Sequence, residues 1–149
     1  VFYICLFASQ IYFFLDGEIE KKKIVFLFIL SICIFTDVGG YIFGNIIKGK
    51  KLTTISPNKT YAGMFGSFIC SLIICTLFII YFNFSINYIF FTLLISLVSQ
   101  VGDLFISYLK RKANIKDTGN FLPGHGGLLD RLDGMIFAIP LGIKIFIFF

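Results

Sequence analysis

The sequence predicts an all-α fold, a polytopic membrane bundle of about five transmembrane helices with its charged loops on one face. Three observations carry that expectation. Hydrophobic residues make up 58% of the chain and charged residues 14%, with a mean hydropathy of +0.94; a soluble domain carries about 25% charged residues. Apolar runs near the roughly 20 residues needed to cross a bilayer recur along the chain. The charged residues are bunched in short segments between those runs. The net charge of +5 does not point to nucleic acid. The cations sit beside apolar runs, where they set topology and meet anionic headgroups.

Residues 1–15 form the first apolar run. No basic n-region or small-residue cleavage site accompanies it, so no signal peptide is expected, and the chain reads as the C-terminal part of a longer protein. A charged turn, residues 16–23, leads to a second span over 24–47, interrupted near its middle by Thr-Asp-Val-Gly-Gly-Tyr at 36–41. Residues 48–60 are a polar loop, 61–81 a third span and 83–87 a short uncharged turn. The fourth span covers 89–107, a charged loop covers 108–127, and a fifth helix over 128–149 is entered through Asp130. No repeat, linker or second domain is visible, so residues 1–149 are read as a single domain. Cys5, Cys33, Cys70 and Cys75 lie in apolar runs without C-x-x-C spacing and are expected to be buried free thiols.

Basic residues set the orientation. The loop over 48–60 holds Lys48, Lys50, Lys51 and Lys59, and the stretch over 108–131 holds Lys110, Arg111, Lys112, Lys116 and Arg131. On the other side stand only Lys21, Lys22 and Lys23, beside Asp16, Glu18 and Glu20. Positive loops remain inside, so both basic loops are assigned to the cytoplasm.

Polar groups against a bilayer are costly and mark function. In the fourth span Ser96, Ser99, Gln100, Asp103 and Ser107 share one helical face, which must therefore meet protein or a wet cavity. Ser96 is expected to act as interhelical glue and Asp103 to be functional. Asp130 and Asp133, three residues apart, point the same way from the first turn of the fifth helix, near the positive end of its dipole. Converging carboxylates repel unless a cation lies between them, and hard oxygen donors suit Mg²⁺. The expected metal ligands are thus Asp103, Asp130 and Asp133.

The loop between them supplies the complement. Lys110, Arg111, Lys116 and Arg131 offer cations for phosphate oxygens. Pro123-Gly124-His125-Gly126-Gly127 is a glycine-rich turn whose backbone N–H groups can approach an anion. His125 is read as a phosphate or substrate contact, since hard cations seldom recruit imidazole. Ser56-Pro57-Asn58-Lys59-Thr60 lies on the same side, with Lys59 able to meet a phosphate and Thr60 able to cap the third helix. Asp37, beside Gly39 and Gly40, is placed to face a polar cavity.

Taken together, Ser107-x-Leu109-Lys110-Arg111, Lys116-Asp117-x-Gly119 and Leu122-Pro123-x-His125-Gly126-Gly127-Leu128-x-Asp130-Arg131-x-Asp133 resemble the signature of the phosphatidate cytidylyltransferases. Thr36–Tyr41, Ser56–Gly63 and Gln100-x-Gly102-Asp103 are similar to that family as well. Tyr61 stands where Trp is frequent, and the N-terminal helices usual for the family are expected to be missing or shortened in this stretch. The resemblance implies cytoplasmic catalytic loops in a bacterial inner membrane. It further implies CTP and phosphatidate as substrates, membrane lipids as surroundings, a homodimer as one expected assembly, and CDP-diacylglycerol with pyrophosphate as products. Mg²⁺ is the implied cofactor, a second cation being an open alternative. Asp103, Asp130, Asp133, Lys110, Arg111 and His125 take catalytic roles. Ser56, Lys59, Ser107, Lys116, Asp117, Gly126, Gly127 and Arg131 bind substrate phosphates, with Asp37 and Gln100 at the cavity. Rival readings are a CTP-dependent polyprenol or phytol kinase and, from another class, a cation-coupled transporter; the transporter gives little reason for a basic, glycine-rich loop carrying His125.

Overall fold

Helix-forming residues continue past the apolar runs, and the helices follow them. A computed structural model describes residues 2–15, 20–53, 56, 59–115 and 132–148. Among these residues the elements are five helices: α1 (Phe2–Leu15), α2 (Glu20–Ile47), α3 (Tyr61–Phe82), α4 (Tyr88–Lys112) and α5 (Met135–Phe148). The all-α expectation holds, with corrections to the lengths. Lys21, Lys22 and Lys23, expected in a turn, form the first turn of α2. Lys110, Arg111 and Lys112, expected in a loop, close α4, where cations meet the negative end of the helix dipole. Hydropathy locates the part of a helix inside lipid; Lys and Arg are good helix formers and carry it further.

Three helices, α2, α3 and α4, are long and apolar enough to cross a membrane. With 14 residues each, α1 and α5 reach only about 21 Å at 1.5 Å per residue, short of the roughly 30 Å hydrocarbon core. A turn at Asp133–Gly134 immediately precedes α5.

The Thr36–Tyr41 stretch does not break α2, which runs unbroken through it. Its glycines serve close approach instead. A Cβ on Gly39 would lie 2.7 Å from the Gly66 carbonyl oxygen of α3, and one on Gly63 would lie 2.7 Å from the Gly40 carbonyl oxygen. Small residues let membrane helices touch backbone to backbone, and α2 with α3 is the most extensive helix pair of the fold.

The bundle is polarised end to end. Phe14, Val25, Phe28, Ile29, Ile32, Ile95, Ile139 and Ile143 form a buried apolar core, extended by aromatic contacts of Phe28 with Phe78, Phe84 and Tyr88 at 5.1–5.8 Å. Further along, buried hydroxyls replace hydrocarbon. Thr36 Oγ1 of α2 donates to Ser96 Oγ of α4 at 3.0 Å, and Ser67 Oγ of α3 donates to the Thr36 carbonyl at 2.7 Å. Three helices are tied at one level, each bond worth about 0.6–2 kcal/mol in a membrane. Among the cysteines, Cys33 and Cys75 are buried as expected, whereas Cys5 is exposed and Cys70 half-buried; all four are free.

A candidate phosphate- and cation-binding pocket

Just beyond the hydroxyl level, α2, α3 and α4 part around a pocket of about 370 Å³. Asp37, Gly40 and Tyr41 of α2, Thr60, Gly63 and Met64 at the start of α3, and Gln100, Asp103 and Leu104 of α4 line it. Ser56 and Lys59 from the loop after α2, and Asp133 with Gly134 before α5, complete the wall.

Local folding explains how distant residues reach this point. Lys48 takes a left-handed φ of 45° where α2 ends, turning the chain back. The loop then closes on itself: the Leu52 N–H donates to the Lys59 carbonyl at 2.7 Å, and the Tyr61 N–H donates to the Lys50 carbonyl at 3.1 Å. Thr60 caps α3 as its sequence predicts, its side chain accepting from the Gly63 N–H at 3.1 Å. That places Lys59 one residue from the helix start, with its ammonium 2.5 Å from Asp103 Oδ2.

Because α4 runs on to Lys112, nine residues follow Asp103 in the helix, about 13 Å of it. Helical side chains point toward the N-terminus. Lys110 accordingly reaches back along α4, and its Nζ donates to Asp133 Oδ2 at 2.7 Å. This second pair is buried, with side chains 14% and 5% exposed, whereas the Lys59–Asp103 pair is 25% and 35% exposed. Asp37 lies within electrostatic reach of Asp103, Lys59 and Asp133. Three carboxylates and the Lys59 ammonium, from four separate stretches of chain, thus surround one opening, with Lys110 paired to Asp133.

Of the residues singled out by sequence, Asp37, Ser56, Lys59, Gln100, Asp103 and Asp133 line this pocket, and Lys110 joins through Asp133. Gln100 Nε2 approaches Ser96 Oγ at 3.4 Å, which links the pocket to the hydroxyl level. Ser107 is half-buried on α4 away from the lining, and Arg111 is exposed. Lys116, Asp117, His125, Gly126, Gly127, Asp130 and Arg131 lie outside the described residues. Sequence reasoning marked Thr36 and Tyr41 only as parts of the stretch around Asp37, and missed Ser67 and Gly134. Ser67 carries no signal beyond being a hydroxyl in an apolar run. Gly134 is required by contact, since a Cβ there would lie 2.6 Å from Ser99 Oγ and 2.8 Å from the Ser99 carbonyl oxygen. Among the described residues no three Asp, Glu, His or Cys side chains are grouped tightly enough to hold a metal ion. The donors fit a hard divalent cation in kind, being carboxylates facing one polar opening, but each of Asp103 and Asp133 is engaged by a lysine.

A helical fold with three helices long and apolar enough to cross a membrane, and with lysines and carboxylates around a pocket at one bundle end, defines the class as a helical membrane protein with a charged pocket. The chain belongs to the cytidylyltransferase family, whose profile matches residues 1–149. It is similar to the phosphatidate cytidylyltransferase of Staphylococcus saprophyticus, 44% identical over 119 residues, covering 77% of this chain and 46% of that protein. The phosphatidate cytidylyltransferase of Staphylococcus haemolyticus is 44% identical over 110 residues, 71% and 42% of the two chains. That of Staphylococcus aureus is 43% identical over 133 residues, 87% and 51%. The chain therefore spans about half the length of the curated relatives it matches.

Proposed function

We propose that this chain supplies the phosphate-handling half of a phosphatidate cytidylyltransferase, which forms CDP-diacylglycerol and pyrophosphate from phosphatidate and CTP. The observation that supports this most directly is the placement of Lys59, Asp37, Asp103 and Asp133 around one pocket at the end of an apolar bundle, with Lys110 paired to Asp133. A water-soluble triphosphate and a lipid phosphate must both reach such a point, one from water and one along the helices. The names of the staphylococcal relatives point the same way.

In this reading the lipid phosphate attacks the α-phosphorus of CTP, the P–O bond to the β-phosphate breaks, and pyrophosphate leaves with the bonding pair. The nucleophile is already ionised near neutral pH, so the site needs charge compensation and alignment more than a base. Lys59 and Lys110 grip phosphate oxygens. The N-terminus of α3, which opens onto the pocket at Thr60 and Gly63, adds the positive end of a helix dipole. Gln100 holds the polar floor through Ser96. Asp103 and Asp133, with Asp130, would hold Mg²⁺, which supplies Lewis-acid neutralisation of the phosphate charge when bound. The basic loops support a cytoplasmic orientation of this pocket, in a bacterial inner membrane.

The test is direct. Purified full-length protein given phosphatidate, labelled CTP and Mg²⁺ forms a labelled CDP-lipid, and EDTA stops it. Label transferred to a polyprenol instead, or no transfer to lipid at all, would overturn the assignment.

A further inference from the structure

Next to its charged groups the pocket has a neutral polar floor. Thr36 of α2, Ser67 of α3 and Gln100 of α4 line it, and Ser96 stands behind Gln100 on α4. The hydroxyl hydrogens of Ser67 and Thr36 are already engaged, the first on the Thr36 carbonyl at 2.7 Å and the second on Ser96 Oγ at 3.0 Å. Thr36, Ser67 and Ser96 are buried, so the floor group most open to an occupant is the half-buried Gln100 amide. It lies on the face of α4 that carries Asp103, one turn earlier. An amide has two nearly isosteric ends, and only its hydrogen bonds decide which way round it sits. Here Nε2 donates to Ser96 Oγ at 3.4 Å. The carbonyl oxygen and the second N–H share one edge of the amide, and among the described residues no hydrogen bond takes them. That edge is an acceptor beside a donor. Its order is set by a chain of contacts from Gln100 through buried Ser96 to buried Thr36 on the neighbouring helix.

The proposed function brings CTP to this pocket, and cytosine carries the matching edge: its 4-amino group donates and its N3 accepts. Uracil carries the reverse, a 4-oxo acceptor and an N3–H donor. A ribose hydroxyl both donates and accepts, so it bonds an amide in either orientation and gives no reason to hold one. The glycerol esters of phosphatidate only accept. Resting on that reading, we infer that Gln100 reads the cytosine base, Oε1 accepting from the 4-amino group and Nε2 donating to N3. Ser96 and Thr36 are positioning residues that keep the amide from turning over. A uracil nucleotide then sets acceptor against acceptor and donor against donor, and polar groups left unpaired in a secluded site are costly. The Lys59 ammonium, at Asp103 on the next turn of the same face, is near enough to meet the phosphates of the same nucleotide.

The test reads a ratio of affinities without turnover. Labelled CTP bound to purified full-length protein, with no phosphatidate present, is displaced by unlabelled CTP, UTP or dCTP. Wild type is expected to prefer CTP over UTP by about 5- to 150-fold, the range of one bidentate base contact. Gln100→Met, close in size and without the amide, is expected to remove most of that preference. Ser96→Ala keeps Gln100 but frees its amide to turn over, and UTP is expected to bind more tightly than in wild type. Ser71→Ala, which loses a buried hydroxyl bonded within its own helix, is expected to keep the wild-type ratio. A CTP-to-UTP ratio untouched by Gln100→Met overturns the inference, and so does a loss of preference for CTP over dCTP in its place, which would assign the amide to the ribose. Should Gln100→Met not fold, an unaltered ratio in Ser96→Ala overturns it independently. Protein that tells CTP from UTP through Gln100 yet transfers nothing to phosphatidate would overturn only the proposed function. Protein that makes CDP-diacylglycerol with no such dependence on Gln100 would overturn only this inference.

Discussion

Asp133, 4% exposed, and Lys110, which reaches it from a point 23 residues earlier, form the most deeply placed charges described in the fold. Truncating one member of a buried pair costs about 3–5 kcal/mol, while replacing both with apolar residues of similar volume is often neutral or stabilising. Asp133→Ala is therefore expected to lower the melting temperature in detergent sharply, and Lys110→Met combined with Asp133→Leu to restore most of it. A double variant no more stable than Asp133→Ala would show that the pair is not the source of the loss. Which carboxylate meets which lysine was not legible in the sequence. Helical periodicity assigned Asp103 to a polar face, but the partner of that face depends on how a loop folds back. Lys59 finds Asp103 across 44 positions only because Lys48 reverses the chain and Thr60 starts α3. The cap itself was legible, being set by neighbours three residues apart.

At the scale of elements, the seam between α2 and α3 decides how tightly the pocket is framed. Ala is the better helix former by about 0.8–1 kcal/mol, so a glycine kept inside a helix needs a steric reason. Gly39→Ala would press a methyl group to 2.7 Å from the backbone oxygen of Gly66, which cannot swing aside as a side chain can. A net loss of about 1–3 kcal/mol is expected from such overpacking, read as a lower melting temperature. Gly49→Ala is the control: its new Cβ meets only Ala62 Cβ, at 3.7 Å, and a change within about 0.5 kcal/mol is expected. Equal effects at both positions would refute a packing role for the seam. The sequence marked the glycines as an interruption of the span; a second helix with glycines at 63 and 66 shows that they serve close contact instead.

For the whole molecule, the apolar and polar ends of the bundle follow from composition and from the distribution of lysines, and both were readable in advance. The ends of the helices were not, because apolar content reports lipid contact and not where the hydrogen-bonded ladder stops. Lys59 of one basic segment and Lys110 of the other lie at the pocket end, each paired there with an aspartate. Asn87, in the turn between α3 and α4, marks the other end. With the native cysteines replaced by serine or alanine, Lys51→Cys is expected to react with an impermeant maleimide only in inverted vesicles, and Asn87→Cys only in spheroplasts. The opposite pattern would place the pocket outside, away from any nucleotide supply.

The glycine seam has a consequence for how such a chain reaches its final state. Main-chain oxygens and α-carbons of α2 and α3 touch through a short connection, so these two helices can lock as soon as both have left the ribosome and partitioned into lipid. The hydroxyls of α4 join afterwards, through Ser96. Assembly from a preformed hairpin would bring Asp103 into the bilayer only when Lys59 already waits there to receive it.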